Sequence, residues 1–482
     1  MKELLSDGRS ERPRAPRLRD AKRWPFVLSL AFSLVLGQPF AAVAAESLDA
    51  TSEAEPPVLS ADAQATSVTA EDVARLREQA AEIQEKTERI RGLQAAGPVP
   101  LVVRNEGELR QYLIERFNDV GIEVIEASER AMQLLGVLEP TQSYYDLVLE
   151  LLTSQVAGYY EPTDATFYLL DTDLNNFHPS VIAHELQHAL QDAHWDLNAM
   201  LRPSWRMDDA LVSRSALAEG DAMVLSMDFE LNGKLGQLPP TVFAAMSREI
   251  LDSALQMRGE YPRYLIENLM APYVYGMAFV HALYTEGGWA QVDKAFERLP
   301  VSSEQVLIPE RYLEEDAPTF LAFDVSELGV LREANILGML GMRTLFHQLL
   351  EGVLSTPAVE MSTRDWDGDR MELWSSPTAD TLVWLSVFDE IAGAQSFFEM
   401  VEFTLPQWVP DTIPVCAGGM HGQRCGATTA GRGVLIERWG DLSLVIIQEA
   451  SDASVTPASL LSIAEEVWHS HRRSAYPEMF RR

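Results

Sequence analysis

The residues whose types and spacing most clearly suit catalysis are those of the HELQH sequence at residues 184–188, an instance of HExxH. On a helix, residues four apart share one face, so His184 and His188 can direct two imidazole nitrogens at a single tetrahedral Zn²⁺. Glu185 lies beside such a metal and can take a proton from a zinc-bound water. The apolar neighbours and the start signal Pro179-Ser180 predict the required helix.

A zinc site needs at least a third protein ligand. The next long helical pattern, Asp208 to Leu231, carries Glu219 among alanines and leucines. An unpaired carboxylate is costly in such surroundings, and a cation would remove that cost. We therefore expect Zn²⁺ on His184, His188 and Glu219. The alternative is a helix whose polar residues only pair with one another.

Two further carboxylates, Asp192 and Asp221, lie close in sequence to these proposed ligands. A histidine that binds zinc usually donates its other ring N–H to a partner that fixes its tautomer. We expect Asp192 and Asp221 to be such partners.

Several motifs together resemble the gluzincin group of bacterial zinc metallopeptidases. They are Gly158–Pro162 (GYYEP), His184–Asp192 (HELQHALQD), Ala216–Ala222 (ALAEGDA), Pro272–Val280 and Ser302–Tyr312. The resemblance covers roughly residues 145–315. It implies a zincin-like fold with the three zinc ligands and the glutamate base named above, and it implies no particular substrate.

The N-terminus has the features of an export signal. A polar segment rich in Arg and Lys precedes the apolar run Phe26–Leu36 and the small residues Ala41–Ala45. We expect cleavage near Ala45 and an exported protein, periplasmic or extracellular. The alternative is an uncleaved membrane anchor over Trp24–Ala45.

The formal net charge of −34 disfavours nucleic acid as a partner, because no basic stripe offsets phosphate repulsion. Residues 46–69 have the composition of a flexible acidic linker. A charged helix with a thin apolar stripe is predicted for Ala70–Leu93. This helix either docks on the following domain or acts as a spacer, and the sequence does not decide whether it is inhibitory.

The predicted zincin-like metallopeptidase domain, residues 101–317, is mainly helical. Helices are expected at 106–117, 122–135 and 144–153, followed by a β-hairpin over Gln155–Leu170. An edge strand beside an HExxH helix can pair with an extended substrate. We favour that role for the hairpin because its second strand directly precedes the zinc helix, although a purely structural role is about as well supported.

An oxyanion donor besides zinc is sought in the aromatic segment Ala271–Tyr284, which follows helical stretches at 240–257 and 264–270. Its candidates are Tyr273, Tyr275 and His281. Tyr275, beside Gly276, is our first choice as a catalytic residue. Each of the three could instead be a core residue.

A smaller domain is predicted from residue 318 to 482. Helix and strand patterns alternate as α-β-β-α-β-β-α, which predicts an antiparallel sheet with helices on one face. The first of these helices is expected at 333–351. The overall class expected for the chain is therefore α+β.

Two features of this domain could be mistaken for metal sites. Cys416 and Cys425 flank His421, but a disulfide suits an exported chain better than a metal loop. Asp365, Asp367 and Asp369 have the spacing of part of a calcium loop. The twelfth position of that loop lacks the required glutamate, so we expect a polar turn.

These observations predict an exported zinc peptidase that hydrolyses a peptide or protein substrate. A second hypothesis is a zinc-binding, peptide-binding or assembly factor with little turnover. No residue separates the two, because the ligands and the base are present in both cases. The sequence predicts no oligomeric state.

Overall fold

The computed structural model describes residues 69–171, 178–202, 208–419, 422–451 and 455–477. The predicted export segment and most of the acidic linker lie outside the described residues, as does His421. The described chain is α+β, mostly helical with a seven-stranded antiparallel sheet, and the predicted class is confirmed at this level. None of the helices in the described ranges is long and apolar enough to cross a membrane.

The part of the chain before residue 318 is helical apart from three short strands. Its elements are α1 (Ala70–Arg91), β1 (Leu101–Arg104), α2 (Glu106–Val120), α3 (Ile122–Leu135), α4 (Tyr144–Gln155), β2 (Gly158–Glu161), β3 (Thr166–Leu170), α5 (Pro179–Trp195), α6 (Leu197–Met200), α7 (Asp208–Glu230), α8 (Pro240–Met257), α9 (Arg263–Gly287), α10 (Trp289–Glu297), α11 (Ser303–Leu307) and α12 (Pro309–Leu313).

The predicted hairpin is part of a three-stranded sheet. β2 and β3 pair antiparallel, and β1 adds to the other edge of β3 in parallel, giving the order β1-β3-β2. The sequence analysis missed β1, because a four-residue strand is too short for a periodic signal. β3 is thus the central strand, and β1 and β2 are the two edge strands of this sheet.

α1 docks on the domain that follows it and is not a spacer. The side chain of Thr69 caps its first turn in a reciprocal pair with Asp72, and Gly92 ends it in the left-handed conformation. Its apolar stripe, centred on Leu76 and Ile83, packs on α5 and β3. Helix α1 and the domain after it therefore share a core.

α9 is a single helix of 25 residues, whereas the sequence suggested two segments meeting near Ala271. Pro272 lies inside it without ending it. α9 packs along α7 at very close range, since a Cβ on Gly276 would lie 2.1 Å from the carbonyl oxygen of Ala216. A Cβ on Gly220 would likewise lie 2.1 Å from the carbonyl oxygen of Gly276. Glycine is required at both positions to bring the two helices together.

The part after residue 317 is built on the large sheet. Its elements are β4 (Phe320–Ala322), β5 (Val330–Asn335), α13 (Gly338–Leu349), α14 (Thr356–Ser362), β6 (Trp366–Ser375), β7 (Ala379–Phe388), α15 (Ile391–Glu402), α16 (Leu405–Trp408), β8 (Val415–Gly419), β9 (Gly422–Thr428), β10 (Arg432–Trp439), β11 (Leu442–Ala450), α17 (Pro457–Ser470) and β12 (Arg472–Ser474). The strand order is β5-β6-β7-β11-β10-β9-β8, and β12 pairs separately with β4.

Helices cover both faces of this sheet, so the expectation of helices on one face is wrong. α13 and α15 pack on the face that carries Leu382 and Trp384. α17 packs on the opposite face, which carries Val383 and Leu385. Strands buried on both faces are uniformly apolar, and such a sequence does not reveal which face a helix will cover.

The start of the first helix in this part was also placed too early. Residues 330–335 form β5, and α13 begins only at Gly338. The carboxylate of Asp369 accepts the backbone N–H groups of Leu337 and Gly338 and the indole N–H groups of Trp366 and Trp384. Residues 363–365 form a turn and residues 366–369 open β6, so only the first part of the expected polar turn is present.

One apolar core crosses the predicted boundary at residue 317. Ala131, Leu134 and Leu135 of α3 lie in the same cluster as Met371 of β6 and Trp384 of β7. The two predicted domains therefore form a continuous packed structure in the described residues.

The predicted disulfide between Cys416 and Cys425 is present, with an S–S distance of 2.05 Å. The two residues face each other in the register of β8 and β9. The bond joins the last two strands at one edge of the large sheet.

Candidate metal centre

Three of the predicted site residues converge between two packed helices. α5 contributes His184 and His188, one turn apart on the face toward α7, and α7 contributes Glu219. Oε2 of Glu219 lies 3.2 Å from Nε2 of His184 and 3.4 Å from Nε2 of His188. Two ligand atoms that are each about 2.0–2.1 Å from a tetrahedral zinc lie about 3.4 Å apart, so this spacing suits a shared zinc ion.

The three side chains of the cluster are buried. Exposed fractions are 4% for His184, 1% for His188 and 0% for Glu219. The two imidazole rings stand nearly perpendicular, with centroids 4.9 Å apart. A fully buried carboxylate is costly unless a cation or proton compensates it.

The protein alone compensates this carboxylate with a proton. Burial by itself would raise the pKa of Glu219, but the charge of His188 and hydrogen bonds from both histidines lower it to about 2. Burial by itself would lower the pKa of His188, yet the charge of Glu219 raises it to about 9. Burial lowers the pKa of His184. The pair therefore holds one proton, on His188, where a cation can replace it.

Among the buried atoms of the cluster, Oε1 of Glu219 and Nδ1 of His184 have no hydrogen-bond partner in the described residues. An orphaned carboxylate oxygen inside a protein is rare and calls for an explanation. A metal ion bound by Glu219 provides one. Two imidazoles and a carboxylate are the donor set of many catalytic zinc sites, so these residues fit zinc.

Glu185 is held by the small sheet. Its Oε2 accepts the backbone N–H of Tyr160, on β2, at 2.9 Å. Burial raises the pKa of Glu185 to about 8, opposed by the charge of His188. A carboxylate with such a pKa can accept and return a proton near neutral pH.

Asp192 and Asp221 do not hydrogen-bond to the histidines as expected. Asp192 accepts the hydroxyl of Tyr160 and the backbone N–H of Leu197, so it fixes the end of α5. Asp221 accepts the side-chain amides of Gln187 and Gln191 instead. The predicted contact with a histidine is made by one of these glutamines.

Gln191 fixes the tautomer of His188. Its Nε2 donates to a carboxylate oxygen of Asp221 and to the carbonyl oxygen of Ala218. Because both of these partners can only accept, this end of the amide must be the NH₂ group. Its Oε1 then lies 2.9 Å from Nδ1 of His188, and Nδ1 must carry a hydrogen. Nε2 is thereby left as the nitrogen that binds a metal.

The three candidate oxyanion donors lie apart. Tyr273 is fully buried, and its ring stacks on that of His184. Tyr275 lines a small cavity with Ser213 and Ser303, and burial raises the pKa of its hydroxyl.

His281 stacks on Phe243, with ring centroids 3.5 Å apart. Of the three candidates, the structure brings only Tyr273 to the cluster. The role of Tyr275 remains a prediction that its placement does not favour.

A second group of potential ligands comprises Glu402, Cys416 and Cys425. Both sulfurs are in the disulfide, so this group lacks the thiolates that bind metals. The aspartates at 365, 367 and 369 form no cluster of this kind within the described part of the chain.

Sequence reasoning missed Tyr160, Gln187, Gln191 and Arg91 as parts of the site. For the glutamines a signal existed: they lie one turn apart in a helix that is buried on all sides, so they need buried partners. Arg91 gave none, because it is one of several charged residues in a mostly charged helix.

Comparison of the chain with protein-family models, with curated proteins and with solved structures found no match.

Proposed function

We propose that the protein is an exported zinc metallopeptidase with His184, His188 and Glu219 as its zinc ligands. The observation that carries the proposal is the convergence of these three buried side chains on one point with spacings that suit tetrahedral zinc. The resemblance of the surrounding motifs to gluzincins supports it. The disulfide is consistent with export, because exported chains commonly form such bonds.

Zinc bound by these residues would supply a Lewis acid that polarises a substrate carbonyl and lowers the pKa of a water molecule from 15.7 to about 7. Glu185 accepts the proton that this water loses and returns it to the leaving amine. The backbone N–H of Tyr160 fixes one carboxylate oxygen of Glu185, which leaves the other to handle the proton. Glu185 would thus act as the base beside His184, His188 and Glu219, the residues that would hold the metal.

The substrate would lie along β2. In the register of β2 and β3, alternate residues point their backbone groups toward β3, and those of Tyr160 point outward to Glu185. An extended peptide that adds to a strand edge gains affinity from main-chain hydrogen bonds with little sequence preference, and at β2 it would pair beside the Tyr160 N–H, which already donates to Glu185. The sequence-based expectation rested on the second strand of the hairpin, which is β3. Because β3 is paired on both edges, the strand that could contact the substrate is β2.

The experiment is hydrolysis of a broad peptide library by the purified chain and by Glu185→Gln, with zinc measured in both by elemental analysis. The proposal expects zinc in both proteins and cleavage only by the wild type. Zinc in both proteins without cleavage by either would favour the peptide-binding or assembly factor. Absence of zinc from the wild type purified with added zinc would overturn the proposal.

A further inference from the structure

A chain of buried contacts connects helix α1 to the metal centre. Arg91, in the last turn of α1, is 2% exposed, and its Nε donates to Oδ1 of Asp221 at 3.0 Å. The guanidinium lies over the rings of Trp289 and Trp195, at 4.6 and 5.8 Å from their centroids. This arginine is locked by its surroundings and does not sample the surface.

Asp221 also accepts hydrogen bonds from two glutamines of α5. Its Oδ2 accepts Nε2 of Gln187 at 2.5 Å and Nε2 of Gln191 at 2.9 Å. Gln191 in turn accepts Nδ1–H of His188. Three hydrogen bonds therefore lead from Arg91 to a ligand histidine.

The charge of Arg91 matters as much as its hydrogen bond. Asp221 is 0% exposed, and a buried carboxylate needs a cation nearby. Arg91 is the only cationic side chain within 4 Å of the Asp221 carboxylate in the described ranges. Without it, a carboxylate that orients both glutamines would be left uncompensated.

We propose that Arg91 is a positioning residue for His188, acting through Asp221 and Gln191, and that α1 is a permanent part of the metal centre. The inference rests on the proposed function, because it assigns His188 to zinc. Because α1 supplies a buried partner to the metal centre, it is not a segment that detaches to expose that centre. The resemblance to gluzincins does not extend to α1.

The test compares Arg91→Met with Arg89→Met, an exposed arginine of the same helix whose nearest carboxylate is that of Glu85, 3.8 Å away. Zinc affinity is measured by competition with a chromophoric chelator. Loss of a residue that orients a ligand histidine typically weakens metal binding 10–100-fold, so we expect a loss of about that size for Arg91→Met and none for Arg89→Met.

A second readout does not involve the metal. In protein labelled with ¹⁵N-histidine, the Nδ1–H of His188, assigned with His188→Gln, should exchange slowly with solvent in the wild type and faster in Arg91→Met. A general loss of stability would not act on this one proton selectively. Arg91 also pairs with the part-exposed Asp293, at 2.6 Å. The double variant Arg91→Met/Asp221→Asn removes the fully buried charge and keeps an acceptor for Gln191, and we expect it to recover part of the zinc affinity.

If Arg91→Met does not fold, Arg91→Gln takes its place, because it removes the charge that compensates Asp221 and keeps a polar side chain there. A folded variant with wild-type zinc affinity and an unchanged His188 signal would overturn the inference while leaving the proposed function intact. Wild-type protein that binds no zinc would overturn the proposed function. The metal-free exchange of the His188 proton would still show whether Arg91 positions that ring.

Discussion

The ring of Tyr273 stacks on the ring of His184, with centroids 6.2 Å apart and planes at 24°. Both side chains are buried, and they approach from different helices, α9 and α5. Tyr275 lies two residues further along α9, which turns it about 200° away around the helix axis. Of these two tyrosines, Tyr273 is therefore the one whose ring contacts a proposed zinc ligand.

Removal of the Tyr273 hydroxyl is the first test of this geometry. If Tyr273 stabilises the oxyanion, Tyr273→Phe should lower kcat about 10²–10³-fold with little change in KM or zinc content. Tyr275→Phe is the matched control and should retain nearly full activity. Steady-state kinetics of the two variants provide the measurement. If only Tyr275→Phe were impaired, the role would belong to Tyr275 and not to Tyr273.

The role of Glu219 is tested by measuring how much zinc its variant retains. Glu219→Gln keeps the shape of the side chain but removes the charge that balances the cation, so it should lose zinc on dialysis against a weak chelator. Glu185→Gln should keep zinc, because Glu185 contacts β2 and not the ligand atoms. Equal zinc in Glu219→Gln and the wild type would remove Glu219 from the ligand set.

Zinc binding should depend on pH in a defined direction. In the protein alone, the Glu219 carboxylate raises the pKa of His188 to about 9, so below that pH the metal must displace a proton from Nε2. The apparent affinity should therefore fall about tenfold for each unit that the pH drops below 9. Calorimetric titrations in buffers of different ionisation enthalpy would detect the released proton, and an affinity that does not change between pH 6 and 8 would contradict this assignment.

Much of the site could be predicted because its ligands lie on helices. The spacing of His184 and His188 on one helix fixes their common face, and the apolar surroundings of Glu219 mark it as a carboxylate in need of a cation. Four of the seven strands of the large sheet, β6, β7, β10 and β11, were predicted from their long apolar runs. Periodicity and burial are local properties of a sequence, and they predict such features well.

The rest depends on contacts between distant parts of the chain. Arg91 reaches Asp221 only because α1 folds back across α5 and α7. β1 exists as a strand only because β3 offers it an edge. The choice between Tyr273 and Tyr275 depends on how α9 is rotated against α7, which the contact at Gly220 and Gly276 determines. No local pattern carries that information.

The disulfide and the metal centre should be independent. Cys416 and Cys425 lie in β8 and β9, and neither sulfur contacts the cluster on α5 and α7. Reduction should leave zinc and activity largely intact and lower stability by about 3 kcal/mol at most, the value expected for a short loop. A chelator should abolish activity without exposing thiols. Zinc and thiol assays after each treatment check both statements, and loss of zinc on reduction alone would place the cysteines in the metal site.

The most direct test of the account is the anomalous scattering of crystals of the chain, grown with zinc and measured on both sides of the zinc absorption edge. Zinc bound as proposed should give one strong peak per chain, about 2.0–2.2 Å from Nε2 of His184, Nε2 of His188 and a carboxylate oxygen of Glu219. Absence of a peak between α5 and α7, or a peak held by other residues, would contradict it.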